Sequence, residues 1–260
     1  MDSIELGLKG RVAIITGASE GLGRATAEKL ARCGAKVAMC ARRTDVLRAA
    51  AGAIEKATGA EILAQPADVT RMPDIEAFVT AAVGRFGGVD ILVNNAGTSA
   101  AAAFETVDDA TWQVDLDLKL MAAVRFCRLV IPMMKARGGG AIVNVTTVGG
   151  KAPAARSLPT SVTRAAGINL TKALANEYAP DNVRVNTVCL GIVKSAQWTR
   201  RAKGDLDAFY ADVVKQRRIP LGRVGEAEDF ADLVAFLVSE RARFITGTAV
   251  NFDGGASAVV

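Results

Sequence analysis

The octapeptide TGASEGLG at 16–23 constrains this chain more than any other stretch. It follows the apolar run Val12-Ala13-Ile14-Ile15 and leads into a helical pattern from about Leu22 to Cys33. A strand, a glycine-rich turn and a helix in that order make a phosphate site. Gly17 permits the tight turn, while Gly21 and Gly23 remove side chains where a ligand and the neighbouring strand approach. The helix start presents free N–H groups and the positive end of its dipole to that ligand. Ser19, Glu20 and Leu22 complete the candidate contacts of the turn. Glycines also close ordinary strand-to-helix loops, so the assignment needs support from residues farther along the chain.

Apolar runs at 12–15, 36–40, 61–66, 91–94, 141–145, 183–188 and 248–252 read as strands. The segments between them carry apolar residues three and four apart, as crossover helices do. Seven strands alternating with helices predict an α/β fold, a doubly wound parallel sheet with helices on both faces. Such folds take their ligands at the carboxyl ends of the strands. No repeat, low-complexity stretch or linker interrupts the pattern, so 1–260 reads as one domain.

Composition removes several classes of chemistry. The chain has no histidine, which excludes a Ser-His-Asp triad, a His-ligated metal and the usual general base near neutral pH. Cys33, Cys40, Cys127 and Cys189 are widely spaced, form no metal pattern and read as reduced thiols, so a cytoplasmic location is expected. No apolar run is long enough to span a membrane, and the N-terminal residues lack signal-peptide character. The net charge is +5, and residues 194–223 hold eight basic residues against three acidic ones. That excess fits a solvated surface or the attraction of an anionic substrate. Neither stacking aromatics nor a nucleic-acid module is present, so no nucleic-acid partner is expected.

The second strand ends at Cys40-Ala41-Arg42-Arg43. Dinucleotide folds that prefer an unphosphorylated ribose place an acidic residue here. This chain has Ala41 and then two arginines, and a guanidinium suits a 2′-phosphate. NADP(H) is therefore expected over NAD, with Arg42 as the phosphate contact; Glu20 argues the other way, and Arg43 also fits a solvated turn. Asp68, followed by Val69, stands after the third strand, where it can hydrogen-bond an adenine edge. Asn94-Asn95-Ala96-Gly97 follows the fourth strand. Its amides can cross-link strand ends, and its small residues, Ala96 and Gly97, leave room for a ribose beside Asn94.

TGASEGLG, Asp68, NNAG and the ending Thr246-Gly247…Asp253-Gly254-Gly255 together resemble the short-chain dehydrogenase/reductase family, most closely its 3-oxoacyl-carrier-protein reductase-like members. The resemblance covers nearly the whole chain. It implies a single-domain Rossmann fold, NADP(H), a small-molecule substrate, a substrate lid around 194–223, and a homotetramer or dimer. It also implies nicotinamide contacts from Gly191 and Val193 in the loop after the sixth strand. The family's catalytic set is an Asn, a Ser and a Tyr-x-x-x-Lys pair, and here all four positions are changed. The Lys position is Arg164, which keeps a cation for the nicotinamide ribose, and the Tyr position is Thr160. The Ser position is Thr147, and Trp112 anchors the helix that places the Asn position at Lys119. An aliphatic hydroxyl does not titrate in the range a phenol reaches.

Of the two tyrosines, Tyr178 lies too far along its helix and Tyr210 falls in the lid. Lys151 borders the family's substrate pocket, and with Lys119 and Arg164 it is a candidate cationic group able to donate a proton. A solvated loop lysine is an equally good description of Lys151. Three functions stay open: an oxidoreductase acting on a carbonyl or alcohol with an unusual proton donor, a lyase or isomerase with a cationic pocket, and an NADP-binding partner subunit without activity. The first is the expectation.

Overall fold

A computed structural model describes residues 5–199, 202 and 204–260. The expected apolar runs are strands β1 (Val12–Thr16), β2 (Lys36–Ala41), β3 (Ile62–Pro66), β4 (Ile91–Asn94), β5 (Gly140–Thr147), β6 (Val183–Leu190) and β7 (Ala249–Phe252). They form one sheet in the order β3-β2-β1-β4-β5-β6-β7, with every pairing parallel. The helices between them are α1 (Gly21–Arg32), α2 (Thr44–Thr58), α3 (Met72–Phe86), α4 (Asp109–Leu116), α5 (Ala122–Ala136), α6 (Thr160–Tyr178), α7 (Ala196–Thr199), α8 (Leu206–Arg217) and α9 (Ala227–Val238). The doubly wound Rossmann architecture is as the alternating pattern required.

Burial on both faces explains why these strands are continuous apolar runs rather than alternating ones. Ala13 and Ile15 of β1 join α1, α2 and α9 in one core, through Leu30, Leu47, Ile54 and Phe230. Ile14 points the other way and joins α3 and α5. There Phe78 and Phe126 meet edge to face, their centroids 6.3 Å apart. Burying each such ring contributes about 2–3 kcal/mol.

Two consequences bear on function. The chain leaves β1 in both directions, toward β2 on one side and β4 on the other, so the crevice opens at the carboxyl ends of β1 and β4. In addition, β5 and β6 are longer than their apolar runs suggested. Their ladder continues through Thr146↔Cys189 to Thr147↔Leu190, which makes Thr147 the last residue of a strand. Within the expected lid, positions 200, 201 and 203 lie outside the described residues. No helix of the described chain is long and apolar enough to cross a membrane.

Candidate active site

The glycine turn is fixed from the neighbouring strand. Asn95 Nδ2 donates to the carbonyls of Thr16 (2.9 Å) and Gly17 (3.0 Å). Thr16 Oγ1 in turn accepts the N–H groups of Asn95 and Ala96, both at 3.0 Å. A Cβ on Gly23 would stand 2.4 Å from the Gly17 carbonyl oxygen, and one on Gly17 would stand 2.9 Å from Ala96 Cα. Both glycines are therefore demanded by the protein's own close approach. Gly21 differs: at φ +53° its nearest neighbour would be Ser195 Cβ, 4.0 Å away, so that position faces open space at the mouth. No side chain caps α1 at Glu20, and no acidic residue occupies its first turn. Its first N–H groups are left for an anion.

Around the adenosine end, Arg43 pairs with Glu20, so the carboxylate that argued against a phosphate is neutralised. Arg42 is exposed. Burial pushes the Asp68 carboxyl up, but the hydrogen bonds from Thr70 and the charges of Arg42 and Arg71 outweigh it and hold it below its ordinary value. Val69 is buried beside it. These features fit a phosphorylated dinucleotide: a glycine cradle, an uncapped helix start and guanidinium groups beside them.

Several of the expected contact residues are also tied into the fold. Asn94 donates to Asn144 Oδ1 (2.8 Å), and Asn144 donates to Thr171 Oγ1 (2.9 Å). This chain of amides and hydroxyls ties β4 and β5 to α6 beneath the site. Gly191 packs against Asp253, where a Cβ would come within 2.6 Å. Val193 is buried in a bridge to Gly225.

The other end of the crevice, which holds the positions of the family's catalytic set, is built from α6 and from a π-helical turn, Asp117–Met121, between α4 and α5. Asp108 starts α4 by accepting the Thr111 N–H at 2.8 Å. Lys119 lies inside the π turn with its side chain fully buried. Such turns are frequent at functional sites. Its ammonium donates to the Thr160 hydroxyl at 2.9 Å and forms a close ion pair with Asp115. Ala100 N–H also donates to Thr160 Oγ1 (2.9 Å), and Ala102 N–H donates to the Leu158 carbonyl (2.8 Å). The loop after β4 is thereby pinned over the start of α6. Both recorded bonds to Thr160 are bonds it accepts, which leaves its own proton to give.

Arg164, 8% exposed, donates from Nη1 to the Val145 carbonyl at 2.6 Å. Its Nη2 lies where a Cβ on Gly97 would be only 2.5 Å away, so Gly97 makes room for the guanidinium. Its Nε is buried without a partner. Lys119, Thr163, Arg164, Asn94, Asn144 and Thr146 all contribute to a small cavity with room for about one water. Burial lowers the Lys119 pKa to about 8; Asp115 opposes that and Arg164 adds to it. Burial likewise brings Arg164 down to about 10, against the pull of Asp115.

The structure brings Lys119, Thr160 and Arg164 together, and Thr147 ends the adjoining strand. It corrects the expectation for Lys151. That ammonium donates to the Ala249 carbonyl and to Asn251 Oδ1, each at 2.6 Å, on β7. Only Arg164 and Asp115 act as charges on Lys119. The cationic group is therefore two residues, with Lys151 a tie between the loop and the sheet edge. Tyr178 sits at the far end of α6 with Lys135 over its ring, and Tyr210 is buried in the lid cluster with Val213, Ile219 and Val224. Sequence reasoning alone does not select Asp115, Thr163 or Asn144, whereas the strand cross-link expected of the 94–97 amides is made by Asn95. For Asp115 a signal exists, since an acid four residues before a lysine shares its helix face.

Comparison with known proteins places this site in context. A family profile described as enoyl-(acyl carrier protein) reductase matches residues 17–257. Human dehydrogenase/reductase SDR family member 4 is 32% identical over 253 residues, covering 95% of this chain and 88% of that protein. L-sorbose reductase from Gluconobacter frateurii, solved with NADPH and L-sorbose, superposes with a TM-score of 0.94 at 36% identity, covering 99% of this chain and 100% of that one. A short-chain oxidoreductase from Pseudomonas aeruginosa PAO1, solved with NADPH and described as containing an atypical catalytic center, also reaches 0.94 at 36% identity. That match covers 98% of this chain and 99% of the other.

Proposed function

The chain belongs to the short-chain dehydrogenase/reductase family, and from that premise we propose that it is an NADP(H)-dependent oxidoreductase interconverting a carbonyl compound and its alcohol, with Lys119 as the proton source in place of the family's tyrosine. The observation that carries this is the 2.9 Å bond from the buried Lys119 ammonium to Thr160, at the tyrosine position. Thr160 alone is not an acid at useful pH. A lysine titrating near 8 is, and an acid works best when its pKa lies near the operating pH.

The glycine turn, with Arg42 and Asp68, would hold the nucleotide, and the bound nicotinamide supplies or accepts a hydride. The residues of this chain manage the rest of the balance. As the carbonyl carbon gains the hydride, its π electron pair passes to the oxygen. That oxygen takes the Thr160 hydroxyl proton, Thr160 takes one from Lys119, and solvent restores the ammonium. Arg164 and Thr147 would stabilise the developing negative charge. The NADPH-bound L-sorbose and Pseudomonas enzymes support the cofactor part of this reading.

The test is NADPH consumption with L-sorbose, acetoacetyl-coenzyme A and simple ketones. Wild type is expected to reduce at least one of them, and Lys119→Met to be slower by about 10²–10⁴-fold. Full turnover by Lys119→Met refutes the assignment. Absence of turnover by wild type, with NADPH bound, favours a partner subunit instead.

A further inference from the structure

We propose that Asp115 is a positioning residue for proton transfer: anchored by Thr163, its carboxylate fixes the Lys119 ammonium against the Thr160 hydroxyl and keeps that nitrogen charged beside Arg164. This role rests on Lys119 being the proton donor.

The geometry divides the carboxylate between two tasks. One oxygen, Oδ1, takes the Lys119 ammonium. The other, Oδ2, accepts the Thr163 hydroxyl at 2.7 Å, one turn beyond Thr160 on α6. Asp115 thus links the two helices that carry the site, and rotation of the carboxyl away from Lys119 would break its bond to α6. Residue 115 is 2% exposed, so neither bond competes with water.

The charges leave Asp115 no substitute. Asp90 is the other buried acid among the described residues, and it lies elsewhere, bound to Val12 N–H and Arg137. Around Lys119, α6 brings Thr160, Thr163 and the Arg164 cation. The strands β4 and β5 bring Asn94, Asn144 and Thr146, all uncharged. Without Asp115, two cations would face each other in a buried cavity, and the lysine is the one able to shed its proton. Burial and Arg164 already lower its proton affinity, and Asp115 provides the opposing pull. Loss of that carboxylate would leave a neutral amine with no proton to give near neutral pH.

The distinguishing signature is rescue by acid. In Asp115→Asn the shape is kept and the charge removed, so reduction should fall at neutral pH and recover as the pH is lowered. A misfolded site would not recover. Two readouts decide the matter on the full chain saturated with NADPH. The first follows isotope-labelled lysine by NMR, with the Lys119 signal assigned by its loss in Lys119→Met. Its titration midpoint should drop by at least about one pH unit in Asp115→Asn. An unchanged midpoint overturns the role. The second is the pH profile of reduction of whichever of L-sorbose or acetoacetyl-coenzyme A is turned over. The falling limb should shift to lower pH by the same amount, with the NADPH dissociation constant unchanged. If Lys119→Met stays fully active, the donor reading fails, while the NMR midpoint still tests the Asp115–Lys119 coupling. If Lys119→Met is inactive but Asp115→Asn keeps the wild-type profile, the Asp115 role fails alone. Asp115→Ser, smaller and uncharged, is the second variant should Asp115→Asn not fold.

Discussion

The two ends of this crevice are built from opposite materials. The nucleotide end consists of main chain and absent side chains: glycines held open by Asn95 and a helix start left uncapped. The proton-transfer end consists of charges placed in the interior: Lys119, Asp115 and Arg164, each less than a tenth exposed. The first can be altered only by adding atoms. The second depends on a balance of burial against charge, and a single charge change moves it. Binding and chemistry are therefore expected to be separable in this chain, one resting on backbone geometry and the other on electrostatics.

The sharpest way to break the comparison is Lys119→Met, expected to cost about 10²–10⁴-fold in kcat/KM while the NADPH dissociation constant stays at its wild-type value. Parallel loss of both in steady-state and fluorescence measurements would show that the ends are not separable.

The next effect concerns stability and pH. Lys119 ordinarily titrates at 10.5 and here at about 8, so the unfolded chain binds its proton more tightly than the folded one. Stability is therefore lowered in full below pH 8, and the penalty is relieved as pH rises toward 10.5, by about 3 kcal/mol in all. The double variant Asp115→Leu with Lys119→Met removes both charges. It should be inactive yet equal to wild type or more stable by about 1–4 kcal/mol near pH 7. Urea unfolding at neutral pH and near pH 10 would check this, with the double variant's advantage shrinking at the higher pH.

Adding atoms tests the nucleotide end. With its Cβ 2.4 Å from the Gly17 carbonyl, Gly23→Ala should weaken NADPH binding and cost about 1–3 kcal/mol of stability. Gly97→Ala is the informative counterpart, because its Cβ meets Arg164 rather than backbone. It should lower turnover more than it lowers nucleotide affinity. The smallest effect belongs to the exposed Glu20–Arg43 pair, where Glu20→Gln should change stability by no more than about 1 kcal/mol and leave NADPH preferred over NADH in competition binding.

The same contrast governs what the sequence could reveal. The glycine turn was legible because its requirements are local: a strand, three glycines and a helix within a dozen residues. The seven strands were legible because double-sided burial makes each a continuous apolar run. The charge cluster was not, since Thr160 meets Lys119 from 41 residues away and Thr163 meets Asp115 from 48. A π turn and the docking of α6 decide those meetings, and neither leaves a periodic trace. Arg164 and Lys119 stand out as departures from a family pattern. Asp115 belongs to none of the motifs that carry the resemblance, and only the folded chain shows what it holds. Lys151 misled for the converse reason: near the pocket in sequence, its ammonium reaches Asn251, 100 residues on.

That tie has a practical reach. Asn251, gripped by Lys151 on one side, donates from its amide to the Val259 carbonyl at 2.5 Å on the other. The loop bordering the active site is thus moored, through two side chains, to Val259. A fusion partner or surface linker attached close to Val259 would tug on that mooring. An attachment there that depresses turnover would itself be a measure of the mooring's strength.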